Sequence, residues 1–251
     1  MQNEPAVHAN GLTKRFGKFT AVDGISLDVR PGEIFGFLGA NGAGKTTAIR
    51  MFCGLLPPTS GEARVAGYDI HTQARMIKQT IGYMSQKFSL YEDLTVAENI
   101  EFYGGVYGLS RDDIAFKTEN MLNELDLREK RDTLTRSLPL GWKQRLALSV
   151  SLIHDPSIIF LDEPTGGVDP ISRRNFWRII YDIAGSGKTV FVTTHYMDEA
   201  EYCGRLSIMY QGRIIELGAP GALKEKYGMA SMQDIFVHLV DRDGAEKGGA
   251  A

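Results

Sequence analysis

Eight consecutive residues carry the most definite chemistry in this sequence. Gly39-Ala40-Asn41-Gly42-Ala43-Gly44-Lys45-Thr46 fits G-x-x-x-x-G-K-[ST] throughout. Glycines at these spacings let the backbone curl until successive N–H groups point at one anion. A helix opening at Thr46 and Thr47 would turn its positive N-terminus to the same point. Lys45 then reaches the β- and γ-phosphates of a nucleoside triphosphate, and the Thr46 hydroxyl ligates Mg²⁺. A second run, Ile158-Ile159-Phe160-Leu161-Asp162-Glu163, is an apolar strand ending in two carboxylates. Asp162 suits the Mg²⁺ shell, acting through water. Glu163, one residue on, points elsewhere and suits a general base that polarises an attacking water. A glycine-rich turn or an acidic strand end is commonplace by itself; the two together specify a site for ATP and Mg²⁺.

Both runs need a scaffold. Ile34-Phe35-Gly36-Phe37-Leu38 is apolar without alternation, as in a strand buried on both faces, and it leads into the glycine-rich loop. Residues 46–52 then predict a helix that ends before Gly54. Upstream, residues 25–29 alternate like a half-buried strand, and Arg30-Pro31-Gly32-Glu33 reads as a turn. Short strands are predicted around residues 64–66 and 80–85. From about residue 94 to 153 the character changes: residues 95–107, 111–126 and 139–153 have helical spacing, and Thr95 with Glu98 forms a capping box. A strand over residues 157–161, a helix after Pro170, a strand over 189–193, a helix over 197–202 and a hairpin turning at Gln211-Gly212 complete the pattern. Alternating βα units predict a parallel sheet covered on both faces. The expected organisation is one α/β domain over residues 1–240, with a helical subdomain inserted at about 94–153, and a disordered tail over 241–251.

The 28 basic and 31 acidic residues leave a formal net charge of -3, which argues against a duplex-DNA binder and its basic stripe. Cys53 and Cys203 form no metal spacing and no disulfide framework, so a reducing compartment is expected. The first residues lack a basic start and an apolar run, so no signal peptide is expected. No stretch approaches the roughly 18 apolar residues of a membrane helix. Work at a membrane would need another chain to supply the span.

With these motifs in place, the sequence resembles the nucleotide-binding subunit of ATP-binding cassette (ABC) transporters, over roughly residues 7–240. The resemblance implies a P-loop NTPase core, with a mostly parallel sheet and flanking helices, plus an N-terminal antiparallel β subdomain. Asp162-Glu163-Pro164-Thr165-Gly166-Gly167-Val168-Asp169-Pro170 looks like the family's Walker B segment running into its D-loop. Asp169 would then shape the contact between subunits. Gln86 looks like the Q-loop glutamine that senses Mg²⁺ and the γ-phosphate. His195 looks like the switch histidine contacting that phosphate. Phe16 matches the aromatic that stacks on adenine, with a core phenylalanine as the alternative. One motif departs from the pattern. Where the family has Leu-Ser-Gly-Gly-Gln, this chain has Leu138-Pro139-Leu140-Gly141-Trp142 ahead of Lys143-Gln144-Arg145. Pro139 removes the signature hydroxyl but suits a first helical position. Gly141 would still face a nucleotide in trans, across a dimer. The variant is most like the ATPases of type-2 ABC exporters.

The resemblance therefore implies an ATP hydrolase working as a homodimer or paralogous heterodimer. It would be peripheral on the cytoplasmic face of the cell membrane and drive export through integral membrane permease subunits, with no nucleic-acid partner. Two alternatives stay open: a soluble ABC ATPase acting on nucleic acid or ribosomes, and a regulatory nucleotide-binding module without turnover. The first usually carries two cassettes or a long coiled coil. The second is favoured by Pro139 and opposed by Glu163.

Overall fold

A computed structural model describes residues 4–87 and 89–248. The chain opens with two long antiparallel strands, β1 (Val7–Phe16) and β2 (Phe19–Val29). The buried strand β3 (Ile34–Leu38) delivers the glycine-rich loop into helix α1 (Lys45–Phe52). Then come β4 (Ser60–Val65), β5 (Tyr68–Asp69), α2 (Ala74–Thr80) and β6 (Ile81–Met84). Three helices follow, α3 (Val96–Val106), α4 (Arg111–Glu124) and α5 (Leu140–Ser151). The chain then runs through β7 (Ile158–Asp162), α6 (Pro170–Gly185), β8 (Thr189–Thr194), the hairpin β9 (Arg205–Tyr210) and β10 (Arg213–Gly218), and the helices α7 (Pro220–Tyr227) and α8 (Met232–Gly248).

Two sheets result. The N-terminal one is antiparallel in the order β2-β1-β4-β5. The larger one runs β10-β9-β3-β8-β7-β6 and is parallel except for the edge strand β10. This is the expected mostly parallel α/β core beside an antiparallel β subdomain. β3 and β7 lie on either side of β8, so the glycine-rich loop, the Asp162-Glu163 pair and His195 leave the sheet at one edge. Open parallel sheets place ligands at the carboxyl ends of their strands.

α1 packs between the sheets, where its Ile49, Met51 and Phe52 join Leu12 and Ile25 from one sheet and Phe35 and Phe160 from the other. The rings of Phe35, Phe37, Phe52, Phe160 and Phe191 lie 5.4–6.4 Å apart in successive pairs. Such pairs add about 0.5–1.5 kcal/mol each beyond simple burial, so the base of the glycine-rich loop is rigid. α5 and α6 cover the opposite face through Leu148, Phe176 and Trp177. α3, α4 and α5 enclose a separate core around Ile100, Leu122, Leu146 and Ile153, which is the expected helical subdomain.

Local chemistry explains the element ends. The Thr95 hydroxyl accepts from Glu98 N–H while the Glu98 carboxylate accepts from Thr95 N–H, so the predicted capping box opens α3. The hairpin turns at Gln211 and Gly212, both with positive φ (46° and 82°), as a two-residue turn between right-twisted strands requires. Three expectations change. The helix predicted over 197–202 is only the tight 3₁₀ turn Glu199–Tyr202. Pro139 is the N-cap of α5, one position before the first helical residue, and α5 has no side-chain cap. α8 extends to Gly248, so residues 241–248 of the expected tail are helical backbone, while 249–251 lie outside the described residues.

Candidate active site

The loop conformation follows from its glycines. Gly44 caps α1 with φ 108°, a region L side chains avoid, and a Cβ there would strike the carbonyl of Ala21. Gly39 packs so closely that a Cβ would run into the carbonyl of Met209. The chain thus bends around a cavity of ≈ 330 Å³ whose lining includes Phe19, Asn41, Lys45, Thr46, Gln86 and Glu163. Gly42, Gly44 and Thr47 line it as well. Ala40 and Ala43 brace the loop, with Ala43 N–H donating to the Ala40 carbonyl at 3.1 Å and Gly212 N–H to the Ala43 carbonyl at 3.0 Å.

Lys45 is 4% exposed. Its Nζ donates to the carbonyls of Gly39 at 2.7 Å and Ala40 at 3.1 Å, and lies 3.1 Å from Glu163 Oε1. Glu163 is itself buried, and its φ of 49° is unusual for a residue with a side chain. Its other oxygen accepts from Gln86 Nε2 at 2.9 Å and lies 3.1 Å from His195 Nδ1. Residues 45, 86, 163 and 195, separated widely in sequence, therefore meet at one carboxylate. The loop is held from below, because Glu163 N–H donates to the Thr193 hydroxyl at 2.9 Å.

Asp162 is 1% exposed. Its Oδ1 accepts from the hydroxyls of Thr193 at 2.7 Å and Thr46 at 3.1 Å. Its Oδ2 is buried with no hydrogen-bond partner. Burial pushes the carboxyl above the usual carboxylate range, the two hydroxyls pulling against that rise. An oxygen-rich pocket with one bare carboxylate oxygen beside a threonine hydroxyl fits a hard divalent cation such as Mg²⁺.

Phe16 is half exposed at the end of β1, with Lys14 Nζ 5.3 Å above its ring, so the core-phenylalanine alternative does not hold. Its cross-strand partner Phe19, 64% exposed, is the aromatic that lines the cavity. Phe19 was missed because an aromatic at a hairpin start carries no signal of its own. Thr193 was missed too, since its link to Asp162 spans 31 positions. Gly141 is elsewhere. It lies in a second cavity of ≈ 320 Å³, with Pro139, Leu140, Trp142, Asp169 and Ser172, that shares no lining residue with the first.

A glycine-rich loop at a helix N-terminus, a buried acid with one bare oxygen and a second acid met by lysine, glutamine and histidine define the class as a P-loop nucleotide-binding protein. Residues 22–166 match the family model described as "ABC transporter", and the chain belongs to that family. It is 48% identical over 242 residues to the probable multidrug ABC transporter ATP-binding protein YbhF of Escherichia coli (strain K12), covering 94% of this chain and 42% of that protein. It is 40% identical over 221 residues to Nod factor export ATP-binding protein I of Paraburkholderia xenovorans (strain LB400), covering 88% of this chain and 73% of that protein. The chain thus spans less than half the length of the first relative. A solved ATP-binding subunit of an ABC transporter shares the fold, with a TM-score of 0.84 at 24% identity over 94% of this chain and 99% of that one.

Proposed function

We propose that the chain binds ATP in the cavity at the glycine-rich loop and hydrolyses it within a dimer, driving export through separate membrane permease subunits. The observation that carries this reading is the convergence of Lys45, Gln86 and His195 on the Glu163 carboxylate. The arriving γ-phosphate competes with Glu163 for Lys45, because both are anions within its reach. Glu163, relieved of that cation, is free to accept a proton from water, while Gln86 and His195 orient the water and the terminal phosphate. Thr46 and Asp162, with Gln86, would hold Mg²⁺, which supplies charge neutralisation on the phosphates. Phe16 and Phe19 offer stacking surface for adenine.

The separation of the two cavities supports a dimer. Gly141 and the start of α5 share no lining residue with the chain's own cradle, so they suit the nucleotide of a second subunit, identical or paralogous. A groove of ≈ 570 Å³ beside α3, lined by Leu55, Arg75, Lys78, Tyr83, Tyr103 and Tyr107, supports docking of a permease helix. At its flank Tyr91 is 48% exposed, set edge-on to Phe102 at 4.6 Å. Buried Asn99 fixes that loop by exchanging hydrogen bonds of 2.9 Å with the backbone of Tyr91. Among the described residues no helix is long and apolar enough to cross a membrane. The permease would hold this chain at the cytoplasmic face, and the exporting relatives supply the direction.

The test is Glu163→Gln, which keeps shape and removes the base. Hydrolysis falls by about 10²–10⁴-fold, ATP binding persists, and light scattering with ATP and Mg²⁺ shows a doubled mass. Hydrolysis at the wild-type rate would overturn the general-base role. Absence of turnover in the wild type with its permease would favour a regulatory module.

A further inference from the structure

Four positions after His195 lies a carboxylate that the proposed reaction leaves without a task. Glu199 is 0% exposed. Its two oxygens are divided between two loops: Oε1 accepts from the Thr165 hydroxyl at 2.5 Å and Oε2 from the Thr194 hydroxyl at 2.6 Å. Both threonines are buried, at 1% and 2% exposed. Thr194 immediately precedes His195, and its hydroxyl also accepts from Tyr196 N–H at 2.9 Å, so one side chain holds both flanks of the histidine. Thr165 follows Glu163 by two residues, in a turn where Gly166 N–H donates to the Glu163 carbonyl at 3.2 Å.

A guanidinium extends the connection. Arg173 Nε lies 3.5 Å from Glu199 Oε1, its Nη1 donates to Asp198 at 3.3 Å, and its guanidinium sits 4.0 Å over the Tyr196 ring. Arg173 stands one turn inside α6, whose N-cap is Asp169 in the second cavity. A buried carboxylate is costly unless hydrogen bonds and a counter-charge satisfy it. An apolar side chain would fill the same space without tying two catalytic loops together.

We infer that Glu199, with Arg173, is a positioning residue that fixes Glu163 and His195 relative to each other and couples their spacing to the Asp169 end of α6. It acts at a distance, for it does not line the nucleotide cavity. The inference rests on Glu163 and His195 being the acting groups of the proposed reaction. Glutamine replaces it only in part: its amide nitrogen faces a hydroxyl that donates to the carboxylate and would have to turn to accept, and the negative charge beside Arg173 is lost.

The experiment pairs steady-state ATPase kinetics with NMR of ¹⁵N-histidine-labelled protein, in which His195 is one of five histidines. In Glu199→Gln, kcat falls by about 10–100-fold while KM for ATP stays within about twofold. The imidazole resonances of His195 shift and those of the other histidines do not. Thr165→Val and Thr194→Val move kcat and the His195 signal the same way, whereas Thr165→Ser and Thr194→Ser keep both near wild type. Should Glu199→Gln fail to fold, the threonine variants decide. Unchanged His195 resonances in the Val variants, or a melting temperature that drops while kcat of the folded protein holds, would overturn the inference. If wild type itself lacks turnover, the proposed function fails, yet the His195 signal still decides whether Glu199 positions it.

Discussion

The two cavities differ in what surrounds their polar groups. In the first, Lys45, Asp162 and Glu163 are all at least nine-tenths buried, and lysine and acid face each other at 3.1 Å. In the second, Leu140 is 41% exposed, α5 starts at Pro139 without a side-chain cap, and Arg145 lies 5.3 Å from the ring centre of Trp142. The first is organised within one chain by a rigid sheet edge. The second lies at an exposed helix N-terminus, and the proposed dimer would make it half of a shared surface. On the proposed reading binding and turnover have separate structural owners, and substitutions on the two sides should separate them.

The largest effect is expected from Gly141→Asp. A Cβ there already approaches the Ser172 hydroxyl at 3.3 Å, and a carboxylate would stand before the opposing phosphate. ATP-driven dimerisation and turnover should vanish, while each monomer binds a fluorescent ATP analogue as wild type does. Wild-type turnover would remove residues 138–145 from any trans site. Lys45→Ala should do the reverse, weakening ATP affinity by about 100-fold through lost charge-assisted hydrogen bonds. Its circular dichroism should stay native, since Gln86 and His195 still hydrogen-bond Glu163. Unaltered affinity in the same titration would take Lys45 out of the cradle.

Tyr91→Asp and Leu94→Asp probe the groove flank, outside both cavities, Leu94 lying on the same loop with its N–H donating to the Tyr91 carbonyl at 3.2 Å. Loss of an aromatic anchor at an interface costs about 2 kcal/mol or more, so co-purification with the permease should drop while ATP binding is retained. Normal complex formation and transport in both variants would relocate the docking surface. The smallest effect belongs to Pro139→Ser. A serine N-cap contributes about 1 kcal/mol, worth roughly 2–4 °C in melting temperature for a chain of this size. Turnover should rise by no more than about 10-fold, the share of one typical added hydrogen bond of about 0.5–1.5 kcal/mol. A much larger rise would mean that the natural signature is degenerate.

Sequence alone made the shape of the glycine-rich loop legible because a loop suited to phosphate admits few residue types. Gly39 and Gly44 are required by close backbone approach and positive φ, and Lys45 and Thr46 supply the charge and hydroxyl that the proposed nucleotide site calls for. β3, β7 and β8 were legible for a related reason: strands buried on both faces must be apolar throughout. Less was readable where partners lie far apart in sequence. Thr165 meets Glu199 across 34 positions, and nothing in a single glutamate signals that it will be fully buried. The expected helix over 197–202 shrank to one tight turn for the same reason, since Thr165, Thr194 and Arg173 all converge on its Glu199 side chain. Pro139 was misplaced by one position because residue spacing does not separate the N-cap from the first helical position.

The central claim is that the cradle of one subunit is completed by the α5 surface of another. Mixing two inactive variants tests it most directly. Lys45→Ala lacks the cradle and Gly141→Asp lacks the trans surface, so a mixed dimer rebuilds one intact site from the cradle of the second and the α5 N-terminus of the first. An equal mixture should recover ATP hydrolysis approaching about a quarter of the wild-type rate, as random pairing in a two-fold dimer dictates. Hydrolysis in the mixture no greater than the sum of the two variants alone would contradict a site shared between subunits.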